Sequence, residues 1–241
     1  MTGQKTGQQP EQPRLTWWGH SCWLVELAGQ RWVIDPFLND NPASPMKEAD
    51  VECDGILVTH GHADHVGDCI ALARRTGAHV LAVFEIAQWL SRHHVPHVTG
   101  MNLGGSVHLT GGLSVKMVPA RHSSELPDGS YGGVAAGYIL SDGTHRIYLA
   151  GDTSLMGDMH WIGRPRLDVA VLPIGDLFTM GLEDSVLATE WLQPRFVLPQ
   201  HYNTWPPIAQ NAERWQQLIS QQTSTTPIVL APGETFTLAR E

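Results

Sequence analysis

The sequence predicts an α/β protein built from two mixed β-sheets packed face to face, with helices outside. Two observations predict it. Short apolar runs rich in β-branched and aromatic residues alternate with helix-length amphipathic segments, and antiparallel-looking runs accompany strand–helix units in both halves of the chain. The 241 residues contain no low-complexity linker beyond the first 13, so one domain over 14–241 is the simplest organisation.

The first 13 residues, MTGQKTGQQPEQP, are polar and lack the apolar run of a signal peptide, so they read as a disordered tail. TWWG, CWLVEL and RWVIDPF follow as consecutive strands separated by short turns. GILVTH (55–60) is a short apolar run suited to a strand buried on both faces. A helix is predicted from Asp64 to Gly77, where glycine supplies the terminating signal. HVLAVF is the next strand and EIAQWLSRH the next helix. Residues 103–119 alternate and turn on paired glycines, as a hairpin does. GVAAGYIL, HRIYLAGD and DVAVLPIGD read as strands, EDSVLATEWL as a helix, FVLPQHY as a strand, AERWQQLISQ as a helix, and PIVLA and TFTLA as closing strands.

Apolar residues make up 42%, which excludes wholesale disorder. Fifteen basic against 24 acidic residues give a formal net charge of −9, which argues against a nucleic-acid or anionic-lipid coat protein. No run approaches the roughly 20 apolar residues that span a bilayer. Three cysteines, Cys22, Cys53 and Cys69, are too few for a disulfide framework, and a cytoplasmic setting fits these features.

The strongest chemical signal is Thr59-His60-Gly61-His62-Ala63-Asp64-His65. Four metal-ligating side chains fall within six residues, between a buried strand and a helix. Imidazole and carboxylate together suit zinc first, with manganese, iron and nickel as alternatives. Capping of the helix by Asp64 would explain one residue and leave the three histidines unaccounted for. His122, Asp152 and His201 each close another apolar run, where strand ends converge on one sheet edge.

HGHADH resembles the H-x-H-x-D-H motif of the metallo-β-lactamase superfamily, and His122, Gly151-Asp152-Thr153 and His201 fall where its remaining ligands lie. TWWGHSCWLVE, LAGDTSLMGDM, LPIGDLFTMGLEDS and QHYNTWPPI further resemble a YtkL-like branch of metal-dependent hydrolases. That branch is distantly similar to ascorbate-6-phosphate lactonases and N-acylphosphatidylethanolamine phospholipase D enzymes. The resemblance implies a four-layer αβ/βα sandwich. It also implies that His60, His62 and His122 hold one divalent metal, that Asp64, His65 and His201 hold a second, and that Asp152 bridges them.

On this reading a hydroxide shared by two metals attacks a small-molecule ester, lactone or similar substrate, with Asp64 orienting it as a catalytic group. His20, in Gly19-His20-Ser21, is the further catalytic candidate, as a substrate contact or a proton donor to the leaving group; a backbone-bonded structural histidine is the alternative. A phosphodiesterase or nuclease would use the same metals, and a non-catalytic metal-dependent ligand-binding protein is the second class. The absence of a Lys/Arg run disfavours nucleic acid as a partner. The sequence assigns no oligomeric state. Asp176 reads equally as support for a ligand or as a turn residue, residues 123–133 as a lid or a surface turn, and His93, His94 and His97 as a solvated helix end.

Overall fold

In the computed structural model, which describes residues 12–239, two seven-stranded sheets face one another. In the first, β1 (Arg14–Trp17), β2 (Trp23–Leu27) and β3 (Gln30–Ile34) form an antiparallel ribbon. The parallel strands β4 (Gly55–Leu57), β5 (His79–Val83) and β6 (Val98–Met101) extend it. The second sheet repeats the plan. β7 (Ser106–His108), β8 (Ser114–Pro119), β9 (Ala136–Ser141) and β10 (Arg146–Leu149) are antiparallel, then β11 (Val169–Pro173), β12 (Phe196–Gln200) and β13 (Thr226–Pro227) run parallel to β10. The chain then crosses back, and β14 (Thr235–Thr237) pairs with β1. The two mixed sheets read from the sequence are therefore present.

Strands such as β11 are buried along their whole length, which explains their unbroken apolar sequence. Hydrogen bonds between buried groups help tie the sheets together: Trp23 Nε1 donates to Gln200 Oε1 at 2.9 Å, and the Tyr138 hydroxyl donates to the Val58 carbonyl at 2.8 Å. Both aromatic side chains are fully buried, so each adds a large apolar area to the core while its polar atom stays satisfied.

Register places the site. Ile34 pairs with Leu57 and Leu57 with Leu81, so the chain leaves β3 and β4 side by side. Leu149 pairs with Val171 and Pro173 with Gln200, which aligns the exits of β10, β11 and β12. Ligand-bearing segments therefore gather at the carboxyl ends of parallel strands, where open α/β sheets usually bind ligands.

Four local expectations change. The helix expected from Asp64 to Gly77 is two helices, α1 (Ala63–Val66) and α2 (Cys69–Thr76). Gly67 breaks it at φ +36°, where a Cβ would lie 2.6 Å from the Pro36 carbonyl oxygen. Asp68 meanwhile turns its carboxylate to the amides of Leu38 and Asn39. α3 (Phe84–Arg92) follows as predicted, but β6 and the one-turn α4 (Met159–Ile162) are additions. α5 (Leu182–Leu192) and α6 (Ala212–Gln222) match the expected helices. The strand expected over 227–231 pairs only at Thr226–Pro227 before a turn from Ala231 to Glu234 redirects the chain. Of the tail expected over 1–13, residues 1–11 lie outside the described residues, whereas Pro13 is buried and accepts a hydrogen bond from Leu238 N. No helix among the described residues is long and apolar enough to cross a membrane.

Candidate metal centre

The fold brings all seven expected ligands, and His20, to one sheet edge. His60 leaves β4, and the turn into α1 presents His62, Asp64 and His65. His122 follows β8, Asp152 follows β10 and His201 follows β12. His201 sits against Gly175, where even a Cβ would lie 2.2 Å from the His201 carbonyl oxygen, so the exit of β11 must be glycine.

The donor atoms form two adjoining groups, joined by a third set made of His60, His65 and Asp152. His62 Nδ1 lies 3.0 Å from His60 Nε2 and 3.3 Å from His122 Nε2. Nitrogens placed tetrahedrally about zinc at roughly 2.0–2.1 Å would stand about 3.3 Å apart, so this triad fits an ion at its centre. The second group contains His20, Asp64, His65 and His201, whose donor atoms all lie within 4.8 Å of one another. Asp152 faces both groups: its Oδ2 is 3.0 Å from His201 Nε2, 3.4 Å from His65 Nε2 and 3.7 Å from His122 Nε2. His65 Nε2, Asp152 Oδ1 and His201 Nδ1 are buried without a hydrogen-bond partner, a cost that a bound cation would remove for atoms aimed at it.

Outer contacts set the imidazole tautomers. Asp35, which the sequence reading passed over, is fully buried and accepts from Thr59 N at 2.8 Å, Thr59 Oγ1 at 2.7 Å and His65 Nδ1 at 2.8 Å. Its signal was present: an acidic residue closing the apolar run RWVI, as Asp152 closes IYLA. Thr59 Oγ1 also meets His60 Nδ1 at 3.1 Å, and Ser123 Oγ meets His62 Nε2 at 3.3 Å. His20 is fully buried, with Nδ1 at 2.8 Å from Thr204 Oγ1 and Nε2 at 3.1 Å from Asp64 Oδ2.

The remaining candidates supply none of these donor atoms. Asp176 is exposed at φ +66° and closes a turn in which its backbone N–H donates to the Met180 carbonyl. Residues 124–132 form a small closed turn, in which Ser124 Oγ accepts from Gly61 N and donates to the Gly132 carbonyl. His93 caps its own helix on the Trp89 carbonyl.

Residues 30–202 match the β-lactamase superfamily domain. The UPF0173 metal-dependent hydrolase TTHA1283 of Thermus thermophilus is 47% identical over 220 residues, covering 91% of this chain and 96% of its own. A UPF0173 metal-dependent hydrolase of Methanosarcina mazei is 38% identical, covering 93% and 98%. This chain belongs to the UPF0173 metal-dependent hydrolase family. Its four-layer αβ/βα sandwich is that of the superfamily: Igni18, a metallo hydrolase from Ignicoccus hospitalis, superposes with a TM-score of 0.87 at 36% identity, covering 95% and 99%. The relatives place the chain among UPF0173 proteins rather than specifically in a YtkL-like branch.

Electrostatics in this UPF0173 chain are set by burial and by mutual contacts. Burial lowers the His60 pKa well below its ordinary value, helped by neighbouring His65. Burial also pushes His20 down to about 4, against the opposing pull of Asp64. For His65 burial acts the same way, but Asp152 and Asp35 outweigh it and hold its pKa well above the usual range. Burial would raise Asp152, yet His201 and His65 hold it well below the carboxylate range.

These shifts predict how the metal-stripped protein responds to acid. The unfolded chain protonates histidine near 6.5, whereas folded His20 resists until about 4, so stability is intact above roughly 6.5 and falls as pH drops toward 4. Between pH 7 and 5 the His20 contribution is about 2 kcal/mol, and His60 adds in the same direction. His65 titrates oppositely: its contribution is complete below about 6.5 and fades as pH rises through its folded value. Urea unfolding of chelator-treated protein at the two pH values measures the difference, and equal stabilities would contradict it.

Proposed function

We propose that the chain is a binuclear metal-dependent hydrolase acting on a small-molecule ester, lactone or similar substrate. The observation that carries the reading is the position of Asp152 Oδ2, within 3.7 Å of imidazole nitrogens from both donor groups. His60, His62 and His122 would hold one cation, Asp64, His65 and His201 the other, and Asp152 would be shared. Zinc suits the tetrahedral histidine triad. Bound there, two divalent cations would bring the pKa of a water toward neutrality and draw charge from a carbonyl or phosphoryl oxygen.

The chain's own residues supply the rest. Asp64 is the more accessible carboxylate of the cluster, its side chain 28% exposed against 3% for Asp152. Its Oδ1 makes no hydrogen bond among the described residues, leaving it free to accept a hydrogen bond from an attacking water and orient it. Beside His122 lies a cavity of about 540 Å³, bordered by Arg121, Ser123, Glu125, Tyr131 and Val134. That volume suits a small molecule. On the other flank, Trp205 meets the His20 ring edge-on at 5.0 Å and walls the site with an aromatic surface.

Elemental analysis of untagged protein, with His62→Ala as control, tests the reading together with hydrolysis of lactone, ester and phosphodiester panels. Two metals per chain, depleted in the variant, with ester or lactone turnover that a chelator abolishes, are expected. Turnover that survives metal stripping would refute the mechanism, and turnover confined to phosphodiesters would reassign the substrate.

A further inference from the structure

Among the histidines of the site, His20 lies outside the seven-residue ligand set, yet it is built like a ligand. In three of those expected ligands one ring nitrogen rests on an oxygen while the other faces the cluster: His60 on Thr59, His62 on Ser123 and His65 on Asp35. His20 repeats the arrangement, with Nδ1 on the Thr204 hydroxyl at 2.8 Å and Nε2 turned inward. When Nδ1–H donates to Thr204, Nε2 is left with a bare lone pair facing the Asp64 carboxylate oxygen at 3.1 Å. Two lone pairs at that distance repel unless a cation lies against both. The same spacing separates other donor pairs of the cluster, 3.0 Å for His60–His62 and 3.0 Å for His201–Asp152.

The backbone holds His20 there at some cost. Gly19 and His20 both have positive φ, +85° and +55°, in a tight turn between β1 and β2. The His20 carbonyl accepts from Trp17 Nε1 and from His201 N, each at 3.0 Å, so the turn is fastened to a neighbouring expected ligand. A strained backbone persists where its surroundings over-determine it, and such strain concentrates at functional sites.

We propose that His20 is itself a protein ligand of the second metal, through Nε2. The assignment rests on the binuclear reading above. It gives the second site five protein donors, His20, Asp64, His65, His201 and the shared Asp152, against four at the first. The two sites are then chemically unlike: the histidine triad with Asp152 favours tetrahedral zinc, whereas the richer set favours a metal of higher coordination number, manganese, iron or nickel.

The test compares wild-type protein with His20→Asn, asparagine being tolerant of positive φ, and with Thr204→Val, which keeps the imidazole but removes its tautomer-setting partner. Stepwise affinities are measured by competition with a chromophoric chelator, and cobalt(II) spectra report coordination number; thermal melts of the stripped proteins check folding. Expected are two binding steps in wild type, a second step weakened at least ~100-fold in His20→Asn and roughly 10-fold in Thr204→Val, and a cobalt spectrum shifted toward lower coordination in His20→Asn. Two steps of wild-type affinity and an unchanged spectrum in His20→Asn would overturn the assignment and leave His20 as a hydrogen-bond donor to Asp64. If His20→Asn does not fold, an unchanged second step in Thr204→Val overturns it equally. A single binding step in wild type would refute the binuclear reading, and this assignment with it.

Discussion

Asp152→Asn is expected to lose at least one metal per chain and to reduce hydrolysis to background while the chain stays folded. Asparagine has nearly the shape of aspartate, so the packing around this buried side chain is retained. What disappears is charge. In a two-metal site the cations stand roughly 3.5–4 Å apart, and a shared carboxylate offsets their repulsion. The neutral amide offers one weaker oxygen, and its NH₂ directs hydrogens at nitrogens that Asp152 Oδ2 now meets at 3.0, 3.4 and 3.7 Å. The stripped protein changes in a second way: Asp152 is the larger of the two carboxylate influences holding His65 protonated, so the His65 pKa falls in the variant. Elemental analysis, a chelator titration and circular dichroism read the three effects separately. Retention of both metals at wild-type affinity would show that Asp152 is not shared.

The site was legible wherever one residue's chemistry announced itself at the end of an apolar run. His60, His122, Asp152 and His201 each follow a strand, and parallel strands carry their carboxyl ends to one edge, so order along the chain anticipated convergence in space. The break at Gly67 was hidden, because its cause is the carbonyl of Pro36, 31 residues earlier in the chain and adjacent only after folding. The strand β6 was missed for a similar reason. Val98–Met101 is half-exposed and includes Gly100, so its own sequence promises little, and its pairing with β5 supplies the order. Asp35 escaped notice because a lone aspartate is ordinary until an imidazole is found against it.

Asp35 supports the second large prediction: Asp35→Asn should weaken the metal site built on His65 by about 10- to 100-fold without removing any ligand. Asp35 Oδ1 accepts from Thr59 N, and Oδ2 accepts from both Thr59 Oγ1 and His65 Nδ1. In the asparagine variant Oδ1 can keep the backbone amide, but an NH₂ group then replaces Oδ2 and meets two donors. The buried clash, costing about 1–3 kcal/mol if left standing, is relieved when His65 moves its proton to Nε2 and accepts at Nδ1. Nε2 is the nitrogen that faces Asp152 at 3.4 Å, so the relieved tautomer has no lone pair to offer a cation. The His60–His62–His122 triad loses much less, since Thr59 can still orient His60. Asp35→Ala is harsher, because it strands Thr59 N–H, Thr59 O–H and His65 Nδ1–H together in a buried space, at about 3–5 kcal/mol of stability. Nitrogen-15 NMR of the ring distinguishes the tautomers directly: an Nε2–H His65 with a weakened second binding step is expected in Asp35→Asn. An Nδ1–H ring with wild-type metal affinity would mean that His65 is oriented by its packing rather than by this carboxylate.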